Sequence, residues 1–233
     1  MTVATDGSLA LAALAGDVSA CRACPRLVAW REEVARTRRA AYREQAYWAR
    51  GVPGFGDPAA RIVLLGLAPG AHGANRTGRM FTGDGSGDFL YAALHRAGLA
   101  SQATSRARDD GLALSGAYVT NACRCAPPGN RLTPDELVRC APFLARELAA
   151  LRDAQVIVAL GAIAWSAALA HLSRAGAPLP RPRPRFGHGA ELRVAGAPLL
   201  LGCYHPSRQN TQTGRLTPAM LDAVLARAEA YAR

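Results

Sequence analysis

Short runs of apolar residues, each closed by turn-forming residues, recur from position 61 onward and alternate with stretches whose apolar positions follow a helical period. Arg61-Ile62-Val63-Leu64-Leu65-Gly66-Leu67 is the first of these runs. It is rich in β-formers and bounded by turn residues, so it predicts a buried strand. Residues 116–122, 155–160, 191–194 and 198–204 are further strand candidates. Helices are predicted at 88–96, where Gly98 supplies a stop, and at 162–172. Thr133-Pro134-Asp135-Glu136 opens another, with Thr as cap, Pro at the first position and Glu closing a capping box. Thr217-Pro218 caps the last one. Residues 9–50 read as helical, with arginine-rich faces and the aromatics Trp30, Tyr42, Tyr47 and Trp48, until the glycine-rich run 51–56 breaks the pattern. The arginine–proline tract 180–185 must run extended over the surface. Strands alternating with helices imply an α/β fold, a parallel sheet covered on both faces. No repeat or linker divides the chain, so residues 1–233 are read as one domain.

In such sheets ligands bind beyond the carboxyl ends of the strands. Three unusual polar loops are predicted there, at 68–84, 121–131 and 205–215. Their convergence on one crevice is the strongest physical pointer to a site. The run Gly83-Asp84-Gly85-Ser86-Gly87 superficially resembles a dinucleotide fingerprint, but it has the wrong spacing and does not follow a strand directly. Phe81, amid polar neighbours, can stack on a flat ligand; its ordinary alternative is to anchor the loop in the core. Asp84 can act as a general base or simply cap the following helix. Asn121, at a strand end, offers one donor and one acceptor to a base edge, or bridges loop backbone. His205, held by Pro206 at a strand end, suits stabilisation of developing charge; its shared rim with Asp84 and Asn121 raises that reading above a structural role.

Composition narrows the chemistry. The 233 residues are 50% hydrophobic and 19% charged, as a globular chain should be. There is no lysine, so all 28 basic residues are arginine against 17 acidic ones, a formal charge of +11. A P-loop, which needs its lysine, is excluded, and Schiff-base catalysis is disfavoured. The positive excess favours an acidic partner, since each cation near a phosphate releases a condensed counterion. No targeting segment or membrane span is evident, and a cytoplasmic location is expected.

Six cysteines stand at positions 21, 24, 123, 125, 140 and 203. In a reducing compartment a metal or redox role precedes disulfides. Cys21-Arg22-Ala23-Cys24 places two thiolates near one another, and Cys125 and Cys140 follow on a loop and the next helix. Four thiolates suit zinc or an iron–sulfur cluster; the wide split of the second pair leans toward the cluster. Cys123 and Cys203, at strand ends, read as buried apolar thiols.

These motifs together resemble the iron–sulfur branch of the uracil-DNA glycosylase superfamily called type B, or family five. The resemblance rests on Cys21-x-x-Cys24, on Gly66-Leu67-Ala68-Pro69-Gly70-Ala71-His72-Gly73 with Asn75-Arg76-Thr77-Gly78-Arg79 and Phe81-Thr82-Gly83-Asp84, on residues 121–130, on Cys140 and on His205-Pro206-Ser207. It implies a three-layer α/β/α fold with a four-stranded, mostly parallel sheet. It also implies a [4Fe-4S] cluster on Cys21, Cys24, Cys125 and Cys140, pinning the N-terminal helical segment; Cys125 fits better than Cys123 because it lies just ahead of the Pro127-Pro128 pair. The implied activity is monofunctional hydrolysis of the N-glycosidic bond of uracil, and of other deaminated bases such as hypoxanthine, flipped out of DNA. Ala68 and Gly70 would line the base site, Phe81 would stack and Asn121 would hydrogen-bond the pairing edge. His205 would stabilise charge on the departing base. Other branches carry an acid in the first loop; here Ala68-Pro69-Gly70-Ala71 has none, and Asp84 is expected to take over. Arg76, Arg79, Arg208 and Arg215 are candidate phosphate contacts, and a monomer is expected. The competing readings are a non-catalytic iron–sulfur nucleic-acid-binding protein and a metal-dependent hydrolase with Asp84 and His205 as ligands.

Overall fold

The computed structural model describes residues 6–233; residues 1–5 of the expected domain lie outside the described residues. Four parallel strands, β2 (Ile62–Gly66), β3 (Ala117–Asn121), β4 (Val156–Leu160) and β6 (Leu199–Cys203), stand in the order β3-β2-β4-β6. These four form the parallel centre of a sheet that has six strands and not the four expected. Two-residue antiparallel strands extend it at both edges, β1 (Phe55–Gly56) on β3 and β5 (Glu191–Leu192) on β6, giving six strands. From sequence, the run 51–56 is expected only to break a pattern. Its strand is made possible by Gly56, whose missing Cβ would lie 2.4 Å from the Ala117 carbonyl oxygen.

Alternate side chains of the central strands enter two separate cores, as strand geometry requires. Ile62, Leu64, Val119, Val158 and Leu201 pack with Leu90 and Leu94 of α4 (Gly85–Arg96) and with Leu221 and Leu225 of α8 (Pro218–Tyr231). Val63, Leu65, Ile157 and Leu200 pack on the other face with Leu11 of α1 (Asp6–Ala20), Leu144 of α5 (Pro134–Ala150) and Trp165 and Leu169 of α6 (Ala162–Arg174). The three layers follow from this double burial. No helix among the described residues is long and apolar enough to cross a membrane.

Helix punctuation follows local chemistry. The Thr133–Glu136 capping box is formed, Thr217 caps α8, and Gly98 takes a left-handed φ of 73° after α4. The segment read as helical over 9–50 is instead two helices, α1 and α2 (Pro25–Thr37), parted by the Cys21–Cys24 turn because Pro25 occupies the first turn of α2. Arg38 then leaves helical geometry, and a single 3-10 turn at Ala40–Tyr42 precedes irregular chain. The first polar loop holds a one-turn helix α3 (Ala74–Thr77) and the last a short α7 (Arg208–Gln212), both too brief for a periodic signal. Residues 180–185 lie outside helices and strands, with a cis bond at Arg181–Pro182.

Candidate active site

The carboxyl ends of β2, β3 and β6 open into a crevice of about 1390 Å³ lined by the three predicted loops. That exceeds the roughly 300–1,000 Å³ typical of a small-molecule pocket, leaving room for a ligand with an attached chain. Ala68, Gly70, Phe81, Asp84, Asn121, His205 and Arg208 all line it. Residues far apart in sequence are therefore brought together by the parallel register of β2, β3, β4 and β6.

At its floor the Phe81 and His205 rings lie 5.9 Å apart with planes inclined by 32°. Phe81 sits at φ 51°, a left-handed conformation unusual for a bulky residue. Its turn is fastened by the Tyr91 hydroxyl, which donates to the Met80 carbonyl at 2.8 Å, and by the absence of a side chain at Gly87, where a Cβ would lie 1.8 Å from the Phe81 carbonyl oxygen. Gly66 plays a similar part at the end of β2: a Cβ there would come within 2.2 Å of Asn121 Oδ1 and 2.7 Å of the Phe81 ring. The Asn121 amide donates only to Met80 Sδ, at 2.9 Å, and its buried Oδ1 has no partner among the described residues. Sulfur is a weak acceptor and a buried unpaired carbonyl is costly, so this amide is poised for an incoming hydrogen-bonding group.

Asp84 takes the capping role weighed from sequence while also lining the crevice. Its Oδ1 accepts from the Ser86 and Gly87 backbone N–H groups at 3.0 and 3.1 Å, capping α4. Its Oδ2 faces the first loop, so closely that a Cβ on Gly73 would lie 1.9 Å from it and one on Gly70 2.9 Å. The loop can pass the carboxylate only because those positions are glycine. Burial raises the Asp84 pKa despite the two backbone donors. Burial also lowers the His205 pKa to about 4, leaving a neutral imidazole at physiological pH. Its backbone carbonyl is held by Asn210 Nδ2 at 2.8 Å. No cluster of three or more His, Cys, Asp or Glu side chains suited to a metal ion forms among the described residues.

The arginines divide. Arg208 is exposed on the crevice wall, and exposed Arg215 lies 4.8 Å over the Tyr204 ring, next to His205. Arg76 and Arg79, expected at phosphates, are buried and committed internally. The Arg76 guanidinium donates to the His72 and Gly83 carbonyls and to Gln45, and lies 4.0 Å over Tyr42. Arg79 pairs with Asp110 at 2.8 Å and donates to Thr82 and Ser105. Both brace the loop that carries Phe81 and Asp84. Sequence alone assigns no role to His72, whose Nδ1 meets the Tyr47 hydroxyl at 2.9 Å on the rim, nor to exposed Arg39 and Arg106, which line the crevice. The one signal in that direction is the density of arginine and aromatic residues over 30–48.

The family model of the uracil DNA glycosylase superfamily matches residues 53–229. The chain is 56% identical to the type-5 uracil-DNA glycosylase of Thermus thermophilus, covering 92% of this chain and 95% of that one. It is 54% identical to the type-5 enzyme of Mycobacterium bovis, over 92% and 79% of the two chains, and 46% identical to that of Pyrobaculum aerophilum, over 91% and 89%. The chain belongs to the type-5 branch of the uracil-DNA glycosylase superfamily. It is accordingly a hydrolase of N-glycosidic bonds.

This uracil-DNA glycosylase superfamily member has a second, smaller recess whose lining is distinct from that of the crevice. Cys21, Cys24, Cys123, Cys125 and Cys140 border one small recess with Leu27 and Phe143, and all six cysteines are free. Cys123, expected as an ordinary buried thiol, is thus a neighbour of the other four. Cys203 is buried apart from them, at the end of β6. Sulfur lines the recess, where burial raises Cys24 and Cys125 and only Cys140 is drawn toward the thiolate. Buried Arg31 donates to Cys125 Sγ at 2.9 Å and the Arg124 backbone N–H to Cys140 Sγ at 3.2 Å. The Cys140 thiol is held down to about 7, chiefly by a hydrogen bond from Cys123, while burial pushes Cys125 up to about 11. Four soft donors on three separate segments, with N–H groups aimed at two of them, are the donor chemistry of an iron–sulfur cluster, although the thiols are not gathered into a ready-made metal site among the described residues. Arginines fasten the same region: Arg26 to Glu136 and the Arg131 carbonyl, and Arg139 to the Ala23 carbonyl.

Proposed function

We propose that this protein flips uracil, and other deaminated bases such as hypoxanthine, out of DNA and excises them by hydrolysis, the opening step of base excision repair. The observation that carries this reading is the Asn121 amide with its buried, unpartnered Oδ1, placed beside Phe81 and His205. A planar base stacks on the phenyl ring while the amide pairs with its edge, and an aqueous crevice above accommodates the attached strand.

The chemistry divides between two residues. As the bond from C1′ to the base nitrogen breaks, its electron pair moves onto the base. Neutral His205 donates an N–H to the negative charge that grows there, and its low pKa keeps it a donor without first discharging a proton. Asp84, with Oδ1 fixed by two backbone N–H groups, presents Oδ2 to a water and to the sugar cation. Water oxygen bonds C1′ and its proton passes to the carboxylate or to solvent. The absence of lysine accords with attack by water and no amine-dependent strand cleavage. A monomer is the proposed functional unit.

Cys21, Cys24, Cys125 and Cys140 are the proposed ligands of a [4Fe-4S] cluster. When bound it supplies thiolate cross-links among the turn before α2, the loop after β3 and α5. Visible absorbance near the thiolate–iron bands and iron analysis test it; a colourless, zinc-only protein overturns it.

The function is tested by incubating the protein with a uracil-containing duplex and cleaving the resulting abasic site with hot alkali. Strand scission at the uracil is expected. Binding without scission at every salt concentration would return the non-catalytic nucleic-acid-binding reading.

A further inference from the structure

The proline–arginine tract between α6 and β5 is unused by the active site. Its Arg181, Arg183 and Arg185 are exposed and make no ion pair or hydrogen bond among the described residues. Residues 154–190 contain no Asp or Glu, so nothing in the segment neutralises them. The backbone is nevertheless held in place. Leu179 and Phe186 pack against the core beneath α6, and the Trp165 indole N–H donates to the Pro184 carbonyl at 3.0 Å. Prolines alternating with the arginines remove backbone donors and stiffen the chain. A tract ordered in advance loses little entropy when it binds.

Its course points at the crevice. Helix α6 starts at the carboxyl end of β4 and runs back, so the tract returns toward the carboxyl end of the sheet. It arrives there at Phe186, whose ring lies 6.2 Å from Tyr204, the residue before His205. Gly189 N–H donates to the Gly202 carbonyl at 2.7 Å, fixing the far side of the tract to the end of β6. Arg215, 4.8 Å over the same Tyr204 ring, adds an exposed cation at this point. In extended chain Arg183 and Arg185 are about 6–7 Å apart along the backbone, the scale on which phosphates of a strand succeed one another.

We propose that Arg181, Arg183 and Arg185 form a phosphate-binding rail that grips the DNA backbone beyond the flipped nucleotide, on the β6 side of the crevice. The inference rests on the glycosylase reading for its orientation, but its test does not depend on excision. Affinity for an undamaged duplex is measured against salt for the parent protein, for R181Q/R183Q/R185Q and for the charge-preserving R181K/R183K/R185K. Three phosphate contacts correspond to a slope of log affinity against log salt lower by about 2.7 in the glutamine variant. Between about 50 and 200 mM salt its affinity should then fall about 40-fold less than the parent's, and the lysine variant should keep the parent slope. In excision assays the glutamine variant should show a raised KM on a long uracil duplex, an unchanged KM on one trimmed close to the lesion, and an unchanged kcat on both. A parent-like salt slope in the glutamine variant overturns the rail whatever the excision result; a lowered slope in a protein that excises nothing leaves the rail standing and removes the glycosylase reading.

Discussion

Asp84 and His205 carry opposite burdens in the same low-dielectric setting, and their acid–base behaviour separates them. Burial raises Asp84, so the carboxylate proposed to handle water is lost on the acid side above the ordinary carboxylate range. Burial lowers His205 to about 4 from 6.5, so it is neutral at neutral pH. The acid limb of the kcat profile is therefore expected to belong to Asp84. His205→Ala should lower kcat by about 10²–10³ while leaving the limb where it was, a result read from pH–rate curves. Asp84→Asn keeps an oxygen to cap α4 but removes the base; it should cost about 10²–10⁴ in kcat with duplex affinity unchanged. Parent-like turnover in that variant would show that another group positions the water. His205 also ties stability to pH. Between about 6.5 and 4 the unfolded chain binds a proton that the folded chain refuses, so this group makes the protein less stable as pH falls through that window. Urea unfolding of parent and His205→Ala at several pH values reads the difference.

At the scale of elements, the loops are shaped by close approach as much as by side-chain chemistry. Gly73 has no space for a methyl group beside Asp84 Oδ2. Gly73→Ala should therefore displace the carboxylate or the turn and cost about 10²-fold in kcat, with the melting temperature little changed; full activity would mean that the carboxylate is free to move aside. The strands, the capped helices and the polar loops at their carboxyl ends are legible because each is written in a local run: β-formers in 62–66, Thr-Pro-Asp-Glu at 133–136, glycines in 66–85. The two edge strands, α3 and α7 are not, since elements of two to five residues carry no period and form by pairing or packing. The split of the N-terminal helix is written in Pro25, but the strong apolar and aromatic pattern on either side masks it. Arg76 and Arg79 escape a sequence reading for a related reason. Sequence reports a charge, not its burial, and here Tyr42, Gln45, Asp110 and Ser105 arrive from distant segments to enclose it.

Across the whole molecule, a buried network joins the cysteine recess to the sheet. Arg124, flanked in sequence by Cys123 and Cys125, pairs with Glu147 of α5 at 2.7 Å and also donates to Thr120, while the Tyr118 hydroxyl donates to Glu147. Arg124→Ala strands a buried carboxylate and should cost about 3–5 kcal/mol of unfolding free energy, a large share of the ~5–15 kcal/mol usual for a domain. Denaturant unfolding measures it; a loss below about 1 kcal/mol would show that Glu147 is solvated or protonated in the variant. The recess makes a separate prediction through the proposed cluster. Cys21→Ser should remove the visible absorbance and lower the melting temperature, because ligand bonds that close long loops are part of the folding free energy. A Cys21→Ser protein with unchanged iron content would remove Cys21 from the ligand set.

Sequence alone determined the layered α/β architecture, the rim on which a ligand must lie and the residue types available there, since hydrophobic period, caps and turn residues act over a few neighbours. Only the tertiary structure decided which charges are free and which are enclosed, that Asp84 both caps a helix and turns an oxygen to the crevice, and that a fifth sulfur shares the recess. Those outcomes depend on segments some tens of residues apart meeting in a dry interior, where burial, and not local identity, sets whether a polar group is paired, neutral or poised.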